Sequence, residues 1–179
     1  RNGIEAVIAV DISNSMMAQD VVPSRLEKSK LLIENLVDNF THDRIGLVVF
    51  AGDAFVQLPI TTDYVSAKMF LQNIDPALIA TQGTDIAKAI NLSMRSFSQQ
   101  KDIGKAIIVI TDGEDHEGGA LEAAKAANER GIHVFILGIG STKGSPIPTS
   151  EGGYLTDRSG QTVLTALNES MCKQIAQAG

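Results

Sequence analysis

The chain has 179 residues, 44% of them apolar, which suits one globular domain with a real core and excludes a disordered chain. A formal net charge of -6, with no cluster of Lys and Arg, argues against nucleic acid or an anionic lipid surface as partner. A single cysteine, Cys172, rules out an intrachain disulfide and any multi-cysteine metal site.

No apolar stretch reaches the roughly 18 residues that a membrane span needs. Arg1 is not an initiator methionine and a strand begins almost at once, so the chain reads as a piece of a longer protein. "IEAVIAV" (4–10) is continuously apolar, the mark of a strand covered on both faces. "SRLEKSKLLIENLVDNF" (24–40) carries Ile33, Leu36, Val37 and Phe40 on one helical face. Ser24 and Glu27 form a capping box after Pro23, and the mixed charges of "RLEKSK" read as a solvated face. "RIGLVVFA" (44–51) is a second buried strand. "AFVQLPI" (54–60) follows it as a hairpin partner, confined to a sheet edge by Pro59.

"TDYVSAKMFLQNI" (62–74) is a helix with Thr62 as its cap, and "TDIAKAINLSMRSF" (84–97) a helix headed by Thr84. "KAIIVIT" (105–111) and "IHVFILGI" (132–139) are further buried strands, flanking the alanine-rich helix 117–131 that stops at Gly131. Residues 140–163, rich in Gly, Pro and Ser, interrupt this rhythm with a small hairpin in "YLTDRSGQTV". A last helix is expected over 164–179. Strands alternating with helices predict an α/β fold: a doubly wound, mostly parallel sheet with one antiparallel edge strand and helices on both faces.

Parallel strands put all their carboxyl ends on one edge, where open α/β sheets bind ligands. Asp11 ends the first strand and Asp112 follows the strand at 105–111, so the two converge across about a hundred residues. Ser13 and Ser15 alternate with Asp11, which lets one curling loop aim three oxygens the same way while Ile12 and Asn14 point elsewhere. Thr84, after Gly83, adds another hydroxyl, although capping alone also explains a threonine there. Two carboxylates and three hydroxyls are hard donors. They favour Mg2+, Mn2+ or Ca2+ over Zn2+ and leave an octahedral position open.

"DISNS", Thr84 and "TDGED" together resemble the metal-ion-dependent adhesion site of von Willebrand factor type A domains. The resemblance covers essentially the whole chain as one such domain, 1–179, with the irregular insertion at about 140–163. It implies Mg2+ held by Asp11, Ser13, Ser15, Thr84 and Asp112, directly or through water, with the open position filled by a partner protein's Asp or Glu. Asn14, Met16, Gly83, Asp85 and Gly113 would shape the rim, with Met16 and Met17 offering apolar contact or packing in the core. "MMAQDVVPSRLEKSK", "DRIGLVVFAGDAFVQLPITTDYVSAKMFL" and "GGYLTDRSGQTVLTALNE" are similar to bacterial aerotolerance-operon proteins of the Bat type. That likeness implies a membrane-anchored, periplasmic domain, with other Bat-type proteins or a MoxR-type AAA+ ATPase system as partners.

The resemblance implies an interaction module and not an enzyme. A metal-dependent hydrolase or phosphatase is the rival, but aspartate phosphatases want a second Asp two residues on, where Ser13 stands. A scaffold whose metal only braces the loops is a third reading. The glycines at 138, 140 and 144 do not fit a nucleotide loop, and Pro146 and Pro148 prevent a helix there. Of the histidines, His42 lies near a helix end, His133 falls in a strand as a core residue, and His116 lies near the site.

Overall fold

β1 (Ile4–Asp11), β2 (Arg44–Phe50) and β4 (Gly104–Thr111) are the apolar runs of the sequence, and they form the middle of one sheet. β3 (Ala54–Thr61) and β5 (Ile132–Gly138) close its two edges, in the order β3-β2-β1-β4-β5. The computed structural model describes residues 3–115, 118–149, 152–156, 158–162, 164–165, 168 and 172. β1 pairs in parallel with β2 and β4, and β4 with β5; within this sheet β3 alone runs antiparallel, paired to β2. The expected sheet is thus observed, including the antiparallel edge that carries Pro59 and tolerates two register shifts.

Alternate residues of β1 serve opposite layers. Ile8 and Val10 join Leu26, Ile33 and Val37 of α1 (Arg25–Asp38) and Ala67 and Leu71 of α2 (Tyr64–Gln72). Val7 and Ala9 pack on the other side with Ile86 and Ile90 of α3 (Ile86–Met94) and the alanines of α4 (Ala120–Glu129). The chain returns to the centre after β3 and places β4 on the far side of β1. The strand order therefore reverses between β1 and β4, and a crevice opens at their carboxyl ends.

Several local expectations change. The first turns of α1 are not a solvated face: Arg25, Leu26, Ser29 and Lys30 are all buried. Ser24 does cap that helix, accepting from the Glu27 N–H at 3.1 Å, while the Glu27 carboxylate pairs with Lys30. Asp63, not Thr62, caps α2, and Asp85, not Thr84, caps α3. β5 is covered on one face only: Ile132 and Val134 are buried, while Phe135 and Leu137 are exposed, and so is His133, which is not core. The insertion does carry a small antiparallel bridge, Thr156 to Thr162. Leu164–Thr165, expected to open the last helix, form a short strand β7 against β6 (Ser145–Pro146). The rest of the helix expected over 164–179 lies outside the described residues, apart from Asn168 and Cys172, where the Cys172 N–H bonds the Asn168 carbonyl at 3.2 Å.

Candidate metal centre

Asp11 is the last residue of β1, and the ladder continues one step beyond it, with the Ile12 N–H on the Phe50 carbonyl at 2.8 Å. The chain then turns through a single 3-10 turn, Asn14–Met17. That turn brings the three alternating oxygens together. The Ser13 hydroxyl and N–H both donate to Asp11 Oδ1, at 2.6 and 2.9 Å, and the Ser13 and Ser15 hydroxyls lie 3.2 Å apart. The Ser15 hydroxyl reaches across the crevice to Asp112 Oδ2 at 2.5 Å. Asp11 and Asp112 are fully buried. Each serine hydroxyl gives its one proton to a carboxylate, Ser13 to Asp11 and Ser15 to Asp112, so four of the five expected donors meet in the crevice as two hydrogen-bonded pairs whose hydroxyl oxygens face each other.

The fifth, Thr84, is also fully buried, and its hydroxyl oxygen has no hydrogen-bond partner among the described residues. With Asp85 accepting the Lys88 N–H at 3.0 Å as the cap of α3, capping does not account for Thr84. The loop that carries it is held from two sides. The Asp85 N–H donates to the Ala51 carbonyl at 2.7 Å, and the Asn14 amide bonds Gln82 Oε1 at 2.6 Å. Gly52 lets the β2–β3 turn lie against this loop, since a Cβ there would come 2.1 Å from the Gln82 carbonyl oxygen.

Two site residues were missed by the sequence reading. Thr111 donates its hydroxyl to Asp11 Oδ2 at 2.7 Å and accepts the Gly113 N–H at 3.1 Å, fixing the second Asp11 oxygen. Its only sequence signal is its place before Asp112. Arg25 is the larger omission. Its guanidinium is fully buried and donates from Nη1 to Asp112 Oδ2 at 3.0 Å. It also forms a two-pronged pair with Asp20, Nε to Oδ1 at 2.9 Å and Nη2 to Oδ2 at 2.8 Å. No periodicity marks it, because both carboxylates come from outside the helix.

The electrostatics suit a divalent cation. Burial, and then the neighbouring Asp112 charge, push the Asp11 carboxyl up to about 7, although three hydrogen bonds from Ser13 and Thr111 pull the other way. Burial also works against charge on Asp20 and Arg25. Their mutual hydrogen bonds and charges, with the Asp112 charge acting on Arg25, outweigh it, so Asp20 is held below its usual range and Arg25 above. Among the described residues no group of three or more His, Cys, Asp or Glu collects. The donor set is therefore two repelling carboxylates plus hydroxyls, one of them unpaired. These are hard oxygens that fit Mg2+ or Mn2+.

Of the rim residues, Asn14 is exposed and Gly83 half-buried, whereas Met16, Asp85 and Gly113 are buried and offer no open surface. Met16 packs in the core, Asp85 is occupied as a cap, and Gly113, at φ +80, lies under the Asn168 carbonyl. His116 lies outside the described residues. A groove of about 1000 Å3 opens beside Asn14, walled by Pro23, Lys30, Asn73, Pro148 and Leu155.

The profile of the von Willebrand factor type A domain matches residues 5–150. The crystal structure of a conserved hypothetical protein, BatB from Bacteroides thetaiotaomicron, is 61% identical and superposes with a TM-score of 0.97, covering 99% of this chain and 87% of that one. An aerotolerance-related membrane protein from Bacteroides fragilis is 58% identical with a TM-score of 0.96, covering 99% of this chain and 88% of the other. An uncharacterised protein of Borreliella burgdorferi is 32% identical over 149 residues, 79% of this chain but only 42% of its own length. The chain thus spans less than half of that relative. Among the described residues no helix is long and apolar enough to cross a membrane.

Proposed function

The chain belongs to the von Willebrand factor type A domain family, with a close resemblance to Bat-type aerotolerance-related proteins, and on that premise we propose that it is a Mg2+-dependent protein-interaction domain. Asp11, Ser13, Ser15, Thr84 and Asp112 hold the ion, and an Asp or Glu carboxylate of a partner protein completes its shell. The observation that carries this reading is the pairing of two buried, mutually repelling carboxylates with a buried hydroxyl, Thr84, that has no hydrogen-bond partner among the described residues. A buried unpaired hydroxyl and a second buried negative charge each cost free energy, and one divalent cation relieves both.

Bound there, the ion supplies a Lewis-acidic point that attracts an external carboxylate. The chain's own residues prepare it. Ser13 and Thr111 fix the two Asp11 oxygens, Ser15 spans to Asp112, and the Asn14–Gln82 bond ties the Thr84 loop to the Ser13–Ser15 turn. The groove beside Asn14 gives a partner segment a surface next to the ion. The role is non-catalytic in this reading, because the position where a phosphatase places its general acid is Ser13, whose hydroxyl is already donated to Asp11. By analogy with the B. fragilis membrane protein, the parent is membrane-anchored; the Bat-type resemblance supports a periplasmic position for this domain.

Isothermal titration with Mg2+ is expected to show one site in the wild type and none in Asp11→Ala. Unchanged binding in the variant refutes these residues as ligands. Capture of an interacting protein that is abolished by chelator and by Asp11→Ala supports the interaction role. Robust turnover of phosphoesters, lost in Asp11→Ala, overturns it in favour of a hydrolase.

A further inference from the structure

Arg25 is the largest of the fully buried side chains, and its partners come from separate loops. Asp20 and the Ser15 carbonyl, 3.4 Å from Nη1, belong to the β1–α1 connection, and Asp112 to the end of β4. The chain leaving β5 closes the set. The Ser141 N–H donates to Asp20 Oδ2 at 2.7 Å, and Gly140, at φ +122, lies so close that an added Cβ would fall 2.7 Å from Arg25 Nε. Residues 140 and 141 open the segment that contains β6 and pairs with β7. Isolated buried ion pairs contribute little net stability and are often matched by apolar packing. A guanidinium locked by two carboxylates and a backbone wall therefore points to placement as its purpose. The planar fork of Arg meets Asp20 at two points and Asp112 at a third, a geometry a lysine cannot reproduce.

We propose that Arg25, clamped by Asp20, is a positioning residue for the metal centre: it holds Asp112 in place and links occupancy of the site to the seating of the loop at 140–141. The inference rests on the metal reading above. Asp20 neutralises Arg25 and keeps it from acting as a rival cation for Asp112. When the site fills, Asp112 is drawn toward the ion. Arg25, Asp20 and the Ser141 N–H are connected to it by direct hydrogen bonds, so the change reaches the β5 exit without passing through the core.

The test uses Asp20→Asn, which keeps a hydrogen-bond acceptor but removes the counter-charge, and Gly140→Ala, which crowds the guanidinium from the opposite side. Neither touches a metal donor. Mg2+ affinity by titration calorimetry should fall about 10-fold in Asp20→Asn, as for other residues that orient a metal ligand. Gly140→Ala should weaken it in the same direction. Hydrogen exchange adds a readout that a merely structural role leaves still: Mg2+ should slow exchange of the Ser141 amide in the wild type, and less so in Asp20→Asn. Folded variants with lower melting temperature but wild-type Mg2+ affinity overturn the clamp, as does a Ser141 amide indifferent to Mg2+ in a wild type that binds it. A wild type that takes up no Mg2+ overturns the metal reading, and the clamp with it.

Discussion

Thr84 is the residue whose chemistry is least explained by the fold alone. It sits at a helix start, where threonine ordinarily caps, yet the cap is its neighbour Asp85 and its own hydroxyl is buried and unpaired. Replacement by the near-isosteric valine removes a polar group that the metal-free fold cannot satisfy. Thr84→Val should therefore raise the stability of the metal-free protein, by about 1 kcal/mol in urea denaturation, at the low end of the cost of an unsatisfied buried group. The same variant should bind Mg2+ more weakly by calorimetry. Opposite signs for stability and metal affinity are the mark of a ligand, since a packing residue loses both. Arg25 shows the converse. Its surroundings in the sequence, "RLEKSK", look like ordinary surface, and only its contacts identify it as part of the site.

At the scale of elements, loops are held by helix caps and turns so that donors from different strands meet. Asp85 anchors α3 through its side chain and the Ala51 carbonyl through its N–H, so the helix start and the Thr84 loop are one unit. Asp85→Ala should cost about 1 kcal/mol of stability, the usual price of a lost N-cap. It should also weaken Mg2+ binding without abolishing it, by loosening Thr84; denaturation and calorimetry on one sample separate the two effects. The elements misread from sequence share a cause. Thr62 and Thr84 are good caps beside even better ones, Asp63 and Asp85, and local preference does not decide between adjacent candidates. The continuous apolar run of β5 reads as a strand covered on both faces, and a run cannot say which helices will lie over it. Leu164–Thr165 fit a helical pattern by spacing, but they pair with Ser145–Pro146, distant in sequence.

For the whole molecule, the two buried carboxylates couple stability to pH and, on the function proposed above, to metal. Asp11 ionises at about 7 in the fold against an ordinary 3.8, so between these values the folded chain keeps a proton that the unfolded chain has released. Stability of the metal-free protein should fall as pH rises from about 4 through about 7 and level off above, because the unfolded state then binds fewer protons. Mg2+ requires the ionised carboxylate, so its stabilisation runs the other way: the rise in melting temperature on adding Mg2+ should be larger at about pH 8 than at about pH 6. Asp11→Ala should flatten both trends in thermal melts. The order and type of the central strands were legible in the sequence, and so was the convergence of Asp11, Ser13, Ser15 and Asp112 on one crevice. The continuous apolar runs of β1, β2 and β4 mark the buried middle of the sheet, and the alternation of Asp11, Ser13 and Ser15 is a local property of one turn. The tertiary structure alone decided what lies behind those donors. Thr111 on the second Asp11 oxygen, Arg25 between Asp20 and Asp112, and Gly140 against the guanidinium are contacts between segments far apart in the chain. Periodicity reports which face of an element is apolar; it carries no information about which distant charge that face will meet.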